Sequence, residues 1–146
     1  MKASAARAAK TSAAEVARFF RRYGWSFERL EEDTFRTGFR GKNAAFVALV
    51  RVTPHWVVFT VNPLLRAPDG GFGGATLTAL AVANQQANLA KLGIDDDGDA
   101  FINVELPCEG FGFSHFVAAL GALAHFADFF VVPLLQAKAI DERNVT

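Results

Sequence analysis

Leu92-Gly-Ile-Asp-Asp-Asp-Gly-Asp-Ala-Phe-Ile-Asn-Val-Glu-Leu-Pro107 is a β-hairpin written in sequence. Asp97-Gly98 is a strong two-residue turn signal, and Ile102, Val104 and Leu106 alternate with polar partners after it. Pro107 and Gly110 end the second strand. This late pair of strands is bracketed by helical patterns, so the chain mixes helices with an antiparallel sheet and does not alternate strand and helix.

Upstream of the hairpin, Leu77, Leu80, Ala81, Asn84 and Asn88 recur at helical spacing and predict a helix over Thr76–Leu89. A stretch rich in glycine and proline, 62–75, precedes it and reads as a loop. Before that lies a meander of period two. Trp25, Phe27 and Arg29 mark one strand. Glu31–Thr34 makes a polar turn, and Phe35, Thr37 and Phe39 share one face of the next strand. After Gly41-Lys42-Asn43, the run Ala44–Thr53 is apolar on both faces at its middle, which places it centrally in the sheet. Pro54-His55 turns the chain into Trp56–Val61.

The meander is preceded by a helix. Ser12-Ala-Ala-Glu15 fits a capping box, Val16, Phe19, Phe20 and Tyr23 form one helical face, and Gly24 stops it. Residues 1–11 carry Lys2, Arg7 and Lys10 without the apolar run of a secretory signal, and read as a loose tail. Residues 12–146 form the single domain.

Downstream of the hairpin, Ser114 to about Val132 is a helix apolar nearly all round. Phe116, Leu120, Leu123, Ala127 and Phe130 lie along one stripe, and Ala119, Ala122, Phe126 and Phe129 along another. A helix on a sheet needs one such stripe. The second, Ala119-Ala122-Phe126-Phe129, is therefore the candidate dimer or partner interface. Pro133 removes a backbone donor and is expected to kink or end the helix. The apolar segment Phe116–Leu135 is read as a buried helix and not as a membrane span, because an aspartate such as Asp128 at bilayer depth costs about 3 kcal/mol.

The 146 residues suit one domain with a real core: 51% are hydrophobic, and 15 are Phe against one Tyr and two Trp. Fifteen basic side chains balance fifteen acidic ones. Zero net charge argues against direct nucleic-acid binding and leaves little repulsion to oppose self-association. Arg36, Arg40 and Arg51 near Phe35 and Phe39 are read as solvent-facing strand charges. A single cysteine, Cys108, excludes an intrachain disulfide, reads as a small partly buried hydrophobe, and is compatible with a reducing cytoplasm.

No chemical constellation emerges. Gly70-Gly71-Phe72-Gly73-Gly74 lacks the Gly-Lys-Ser/Thr ending of a phosphate loop and reads as a connector. Counted from Asp95, the acid run puts Ala100 and Leu106 where a calcium loop needs glycine and a bidentate glutamate. His125 and Asp128 could share a metal, but two ligands make no site. The expectation is a non-enzyme with no catalytic residues, no cofactor and no metal.

The succession α-β-β-β(-β)-α-β-β-α resembles the YbjN family, whose fold is similar to that of type III secretion chaperones. The likeness is carried by Tyr23-Gly24-Trp25, by Phe35-Arg36-Thr37-Gly38-Phe39-Arg40-Gly41 and by Phe46-Val47-Ala48-Leu49-Val50. It continues through Leu80-Ala-Val-Ala-Asn84-Gln-Gln-Ala-Asn88 and, above all, Leu92–Pro107. The final helix, rich in Phe, and the 70–74 glycine run depart from the pattern. The resemblance implies a bacterial, cytoplasmic, chaperone-like adaptor that forms a homodimer and binds a partner protein. It brings no catalytic residues. The alternative expectation is a small-molecule or lipid binder with a Phe-lined pocket.

Overall fold

The computed structural model describes residues 9–145. Its elements are α1 (Ala13–Tyr23), β1 (Phe27–Glu31), β2 (Thr34–Arg40), β3 (Ala45–Val52), β4 (Trp56–Leu65), α2 (Gly74–Gln86), β5 (Lys91–Ile94), β6 (Ala100–Pro107) and α3 (Phe113–Arg143). The strands form one antiparallel sheet in the order β1-β2-β3-β4-β6-β5. The α+β class and the element order are as the sequence predicts.

In α1 the Ser12 half of the expected capping box forms, and the glycine stop acts as expected. Ser12 Oγ accepts from the Glu15 N–H at 3.2 Å, and Gly24 closes the helix in the left-handed region at φ 87°. Val16, Phe19 and Phe20 are buried. One sheet face carries Phe35, Ala48, Val50, Val57, Phe59, Ile102 and Val104, all buried, and packs against α1 and α3. Phe20, Phe35, Phe59 and Phe116 are fully enclosed there, with Phe20 edge-on to Phe116 at 4.9 Å. The other sheet face stays open, with Val47 and Trp56 exposed and Leu49, Val58 and Thr60 half-buried.

Four elements depart from the sequence reading. β4 runs on through Asn62-Pro63 to Leu65, so the loop expected over 62–75 shrinks to 66–73. The ladder to β3 ends at Leu49↔Thr60, and the register to β6 shifts between Val61 and Leu65. Pro63 therefore sits where no ladder donor is required. The helix expected over 76–89 spans 74–86 and buries Thr76, Leu80 and Ala83, leaving Leu77 outside. The last helix does not stop near Val132. It passes Pro133 and continues to Arg143, because Leu134, Ala137 and Asp141 beyond the proline are buried as α3 packs against α2. Finally, residues 9–11 of the expected loose tail 1–11 are tied to the domain. Thr11 N–H donates to the Cys108 carbonyl at 3.0 Å and Gly110 N–H to the Ala9 carbonyl at 3.1 Å, and Lys10 pairs with Glu109. Residues 1–8 lie outside the described residues.

Candidate protein-binding surface

α3 is where the sequence reading located the surface, and its two long edges behave differently. Inward, Phe116, Leu120, Leu123, Ala127 and Phe130 fill the core as predicted. The second stripe is not a continuous outer face. Ala119 is fully buried, which removes it from any surface of this protomer. Ala122 and Phe126 are half-buried and pack on the core, Phe126 stacking on Phe130 at 5.6 Å. Only Phe129 stands out, 57% exposed. A buried arc more than one residue wide absorbs stripes that lie side by side on the helix.

The outward apolar side chains cluster further along. Phe129, Val132, Leu135 and Ile140 are exposed on the second half of α3. From Ser114 to Ile140 the helix carries only two residues of fixed charge, Asp128 and Lys138. His125 is exposed and stacks against Phe129, with ring centroids 6.3 Å apart. By length and composition α3 could also cross a membrane, but its inner face is built into the domain core.

Two carboxylates fix this helix. Asp128 accepts from the backbone N–H groups of Lys42 (2.9 Å), Asn43 (2.8 Å) and Ala44 (3.3 Å), and Asn43 Nδ2 donates to its carbonyl at 3.0 Å. A Cβ at Gly41 would fall inside this carboxylate, so only glycine fits the turn. The Asn43 N–H leads the interactions that hold the Asp128 carboxyl below the usual carboxylate range. Asp128 is thereby committed to the β2–β3 turn. Among the described residues no group of three or more His, Cys, Asp or Glu could hold a metal.

Asp141 does the same for α2. The N-cap of that helix, Gly73, has no side chain, and the Asp141 carboxylate supplies the missing acceptor. It accepts from Ala75 N–H (2.9 Å), Thr76 N–H (3.0 Å) and the Thr76 hydroxyl (2.6 Å). The Thr76 hydroxyl is foremost in holding the Asp141 carboxyl below its ordinary value. Sequence reading missed this residue. Its only signal was the bare glycine run ahead of a helix, which obliges some distant acceptor to serve the first N–H groups.

The remaining candidates are structural. Asp95 Oδ1 accepts from Asp97 N–H and Asp99 N–H, and Asp99 Oδ1 accepts from Ala67 N–H, so the acid run ties a turn and a loop together. Cys108 is buried, its Sγ donates to the Thr53 carbonyl, and burial pushes its thiol up, away from the reactive thiolate. All the phenylalanines but Phe129 are buried or half-buried, and five surface cavities are each lined by one phenylalanine at most. The largest, about 630 Å³, is bordered by Glu31, Glu32 and Asp33. The Phe-lined ligand pocket of the alternative expectation is not formed at any of these five.

This α+β architecture is shared by a solved protein from a type III secretion system. One chain of the heterodimeric complex ExoU-SpcU from the type III secretion system of Pseudomonas aeruginosa superposes with a TM-score of 0.55 at 20% identity. The match covers 83% of this chain and 95% of that one. The profile of YbjN, described as "Putative bacterial sensory transduction regulator", matches residues 12–131, and the chain belongs to the YbjN family. No curated protein matches the chain.

Proposed function

We propose that this protein is a non-enzymatic, chaperone-like adaptor of the bacterial cytoplasm that works as a homodimer and binds a partner protein. The observation that carries the reading is the second half of α3. Phe129, Val132, Leu135 and Ile140 are held outward on a helix whose inner face is already satisfied, and from Phe129 to Ala137 the helix carries no residue of fixed charge. Exposed apolar side chains grouped in this way mark interaction surfaces in soluble proteins. A stripe free of charge can meet a second copy of itself across a two-fold axis without repulsion.

Of the stripe first expected from sequence, Phe129 is the centre of the proposed interface, and Ala122 and Phe126 lie at its margin. The fold supports the reading by analogy, since a structure that shares it is a heterodimeric complex.

Light scattering behind a sizing column tests the homodimer. The expected mass is twice the 15.8 kDa of one chain at micromolar concentration. Phe129→Asp should halve it without changing the far-UV dichroism. A wild-type monomer would overturn the homodimer. Partner binding is tested by cross-linking in host cells, where Phe129→Asp should lose the adducts of the wild type; unchanged adducts would overturn this surface.

A further inference from the structure

The sheet ends in two edge strands that are finished differently. At β5 the outward peptide groups of Leu92 are occupied. Its N–H donates to Asn84 Oδ1 at 2.8 Å, and its carbonyl accepts from Asn84 Nδ2 at 2.8 Å. One amide side chain from α2 thus takes the place of a neighbouring strand. The N–H of Ala90 is taken as well, by the Asn88 carbonyl. Such covering is how proteins close an edge that would otherwise recruit another chain.

β1 carries no such plug among the described residues. Bonded and non-bonded pairs alternate along an antiparallel ladder. The bonds Gly41 N–H to Ala44 O and Val52 N–H to Asp33 O therefore make Phe35↔Val50 and Thr37↔Ala48 the bonded pairs with β3. The peptide groups of Arg36 then face Glu28, its partner in β1. Those of Phe27 and Arg29 point outward from the sheet, with no described residue bonded to them.

The rim of this open edge is basic on its helix side. The Arg21 guanidinium lies 5.7 Å from the Phe27 ring centroid, and that of Arg29 lies 5.4 Å from the Phe35 centroid. Arg18 precedes Arg21 by one helical turn. None of the three is in the Arg36–Glu28 or Lys91–Glu105 salt bridge; the Arg29 guanidinium donates to the Glu32 carbonyl, which holds it at the rim with its charge not neutralised by a carboxylate in either bridge. On the opposite sheet face, Glu28 is already neutralised by Arg36.

We propose that β1 is a docking edge for an extended segment of a partner protein with acidic residues at alternate positions, which pairs with Phe27–Arg29 as an added strand. The proposal rests on the reading of the chain as a protein binder and assigns one partner chemistry. Alternation sends every second side chain of the added strand to the helix side, where carboxylates meet Arg21 and Arg29. A second copy of β1 is the wrong occupant, because the two basic rims would face each other. The register shift between Arg29 and Glu31 stops the ladder early, so contact is short and its strength depends on charge and salt.

The test titrates the full, isotope-labelled chain with a short peptide of alternating glutamate and valine. Alternating lysine and valine, and the glutamate peptide with a central proline, serve as controls. The expected result is shift changes concentrated at the Phe27 to Arg29 amides, strongest at low salt and absent with both controls. Arg21→Glu/Arg29→Glu should weaken binding about tenfold or more. Both side chains are exposed, and Arg21→Gln alone should give an intermediate loss if the double variant is poorly folded. No shift at these amides at millimolar peptide, equal binding of the lysine peptide, wild-type affinity in both variants, or β1-to-β1 pairing of the free chain would each overturn it. Should the titration fail while Phe129→Asp still abolishes the partner adducts, the β1 edge is removed and the protein-binding reading stands.

Discussion

From Phe113 to Asp128, the exposed positions of α3 are Ser114, His115, Ala118, Gly121 and His125, all small or polar. From Phe129 to Arg143, they include Phe129, Val132, Leu135 and Ile140. Both halves bury an inward stripe of similar width: Phe116, Leu120 and Leu123 in the first, Phe130, Leu134 and Ala137 in the second. The difference lies wholly on the outer side. Two stretches of similar apolarity can thus hold different relations to water, and composition alone does not separate a core helix from one that also offers a surface.

The largest break in this comparison is expected from the inner face of the first half. Phe116→Ala empties a fully buried site ringed by Phe19, Phe20 and Phe59 and should cost about 3–5 kcal/mol in urea unfolding. Next comes the far end of the second half. Asp141→Ala strips α2 of its N-terminal acceptor and should lower the melting temperature by several degrees, with the loss of amide protection centred on Ala75 and Thr76.

Acid sharpens the same point. Both Asp128 and Asp141 are held below the ordinary carboxylate range in the folded state. Their contribution is therefore complete above the unfolded value, near pH 4, and is lost as pH falls through the lower folded values. Stability should be level in this respect from neutrality to about pH 5 and then decline. Asp141→Asn should flatten that decline.

Pro133 lies within the second half. Its ring denies a donor to the Phe129 carbonyl, so Pro133→Ala should stabilise the protomer by about 1 kcal/mol. Smallest of all is Phe129→Ala, expected to stay within about 0.5 kcal/mol in protomer stability. A loss as large as that of Phe116→Ala would show Phe129 to be core, and the contrast between the halves would collapse.

Most elements were legible because their causes are local. The Ser12 cap, the Gly24 stop and the alternation of Phe35, Thr37 and Phe39 each act within a few residues; so does Gly98, although the turn runs over 96–98 between a bonded Asp95 and Asp99 and not over the two residues Asp97-Gly98. What stayed illegible depends on contacts distant in sequence. Pro63 looked like a strand breaker until the gap in the ladder was seen to receive it. Pro133 looked like a helix stop, but Leu134, Ala137 and Asp141 are buried beyond it. In α2 apolar residues surround the axis, so spacing could not tell that Thr76, Leu80 and Ala83, and not Leu77 and Ala81, face inward. The same ambiguity put Ala119 on the candidate surface. Asp128 was noticed for the wrong reason, as a neighbour of His125, when its partners lie 84–86 residues earlier.

The Asp141 cap joins chain positions 65–66 residues apart. During synthesis, the start of α2 leaves the ribosome long before residue 141 has been added. Over that interval the first turn of α2 has only water to receive its N–H groups. The protein can finish that helix only after residue 141 has been added, so a nascent chain halted at Val132 should show α2 frayed at its beginning and tighten it only when elongation resumes.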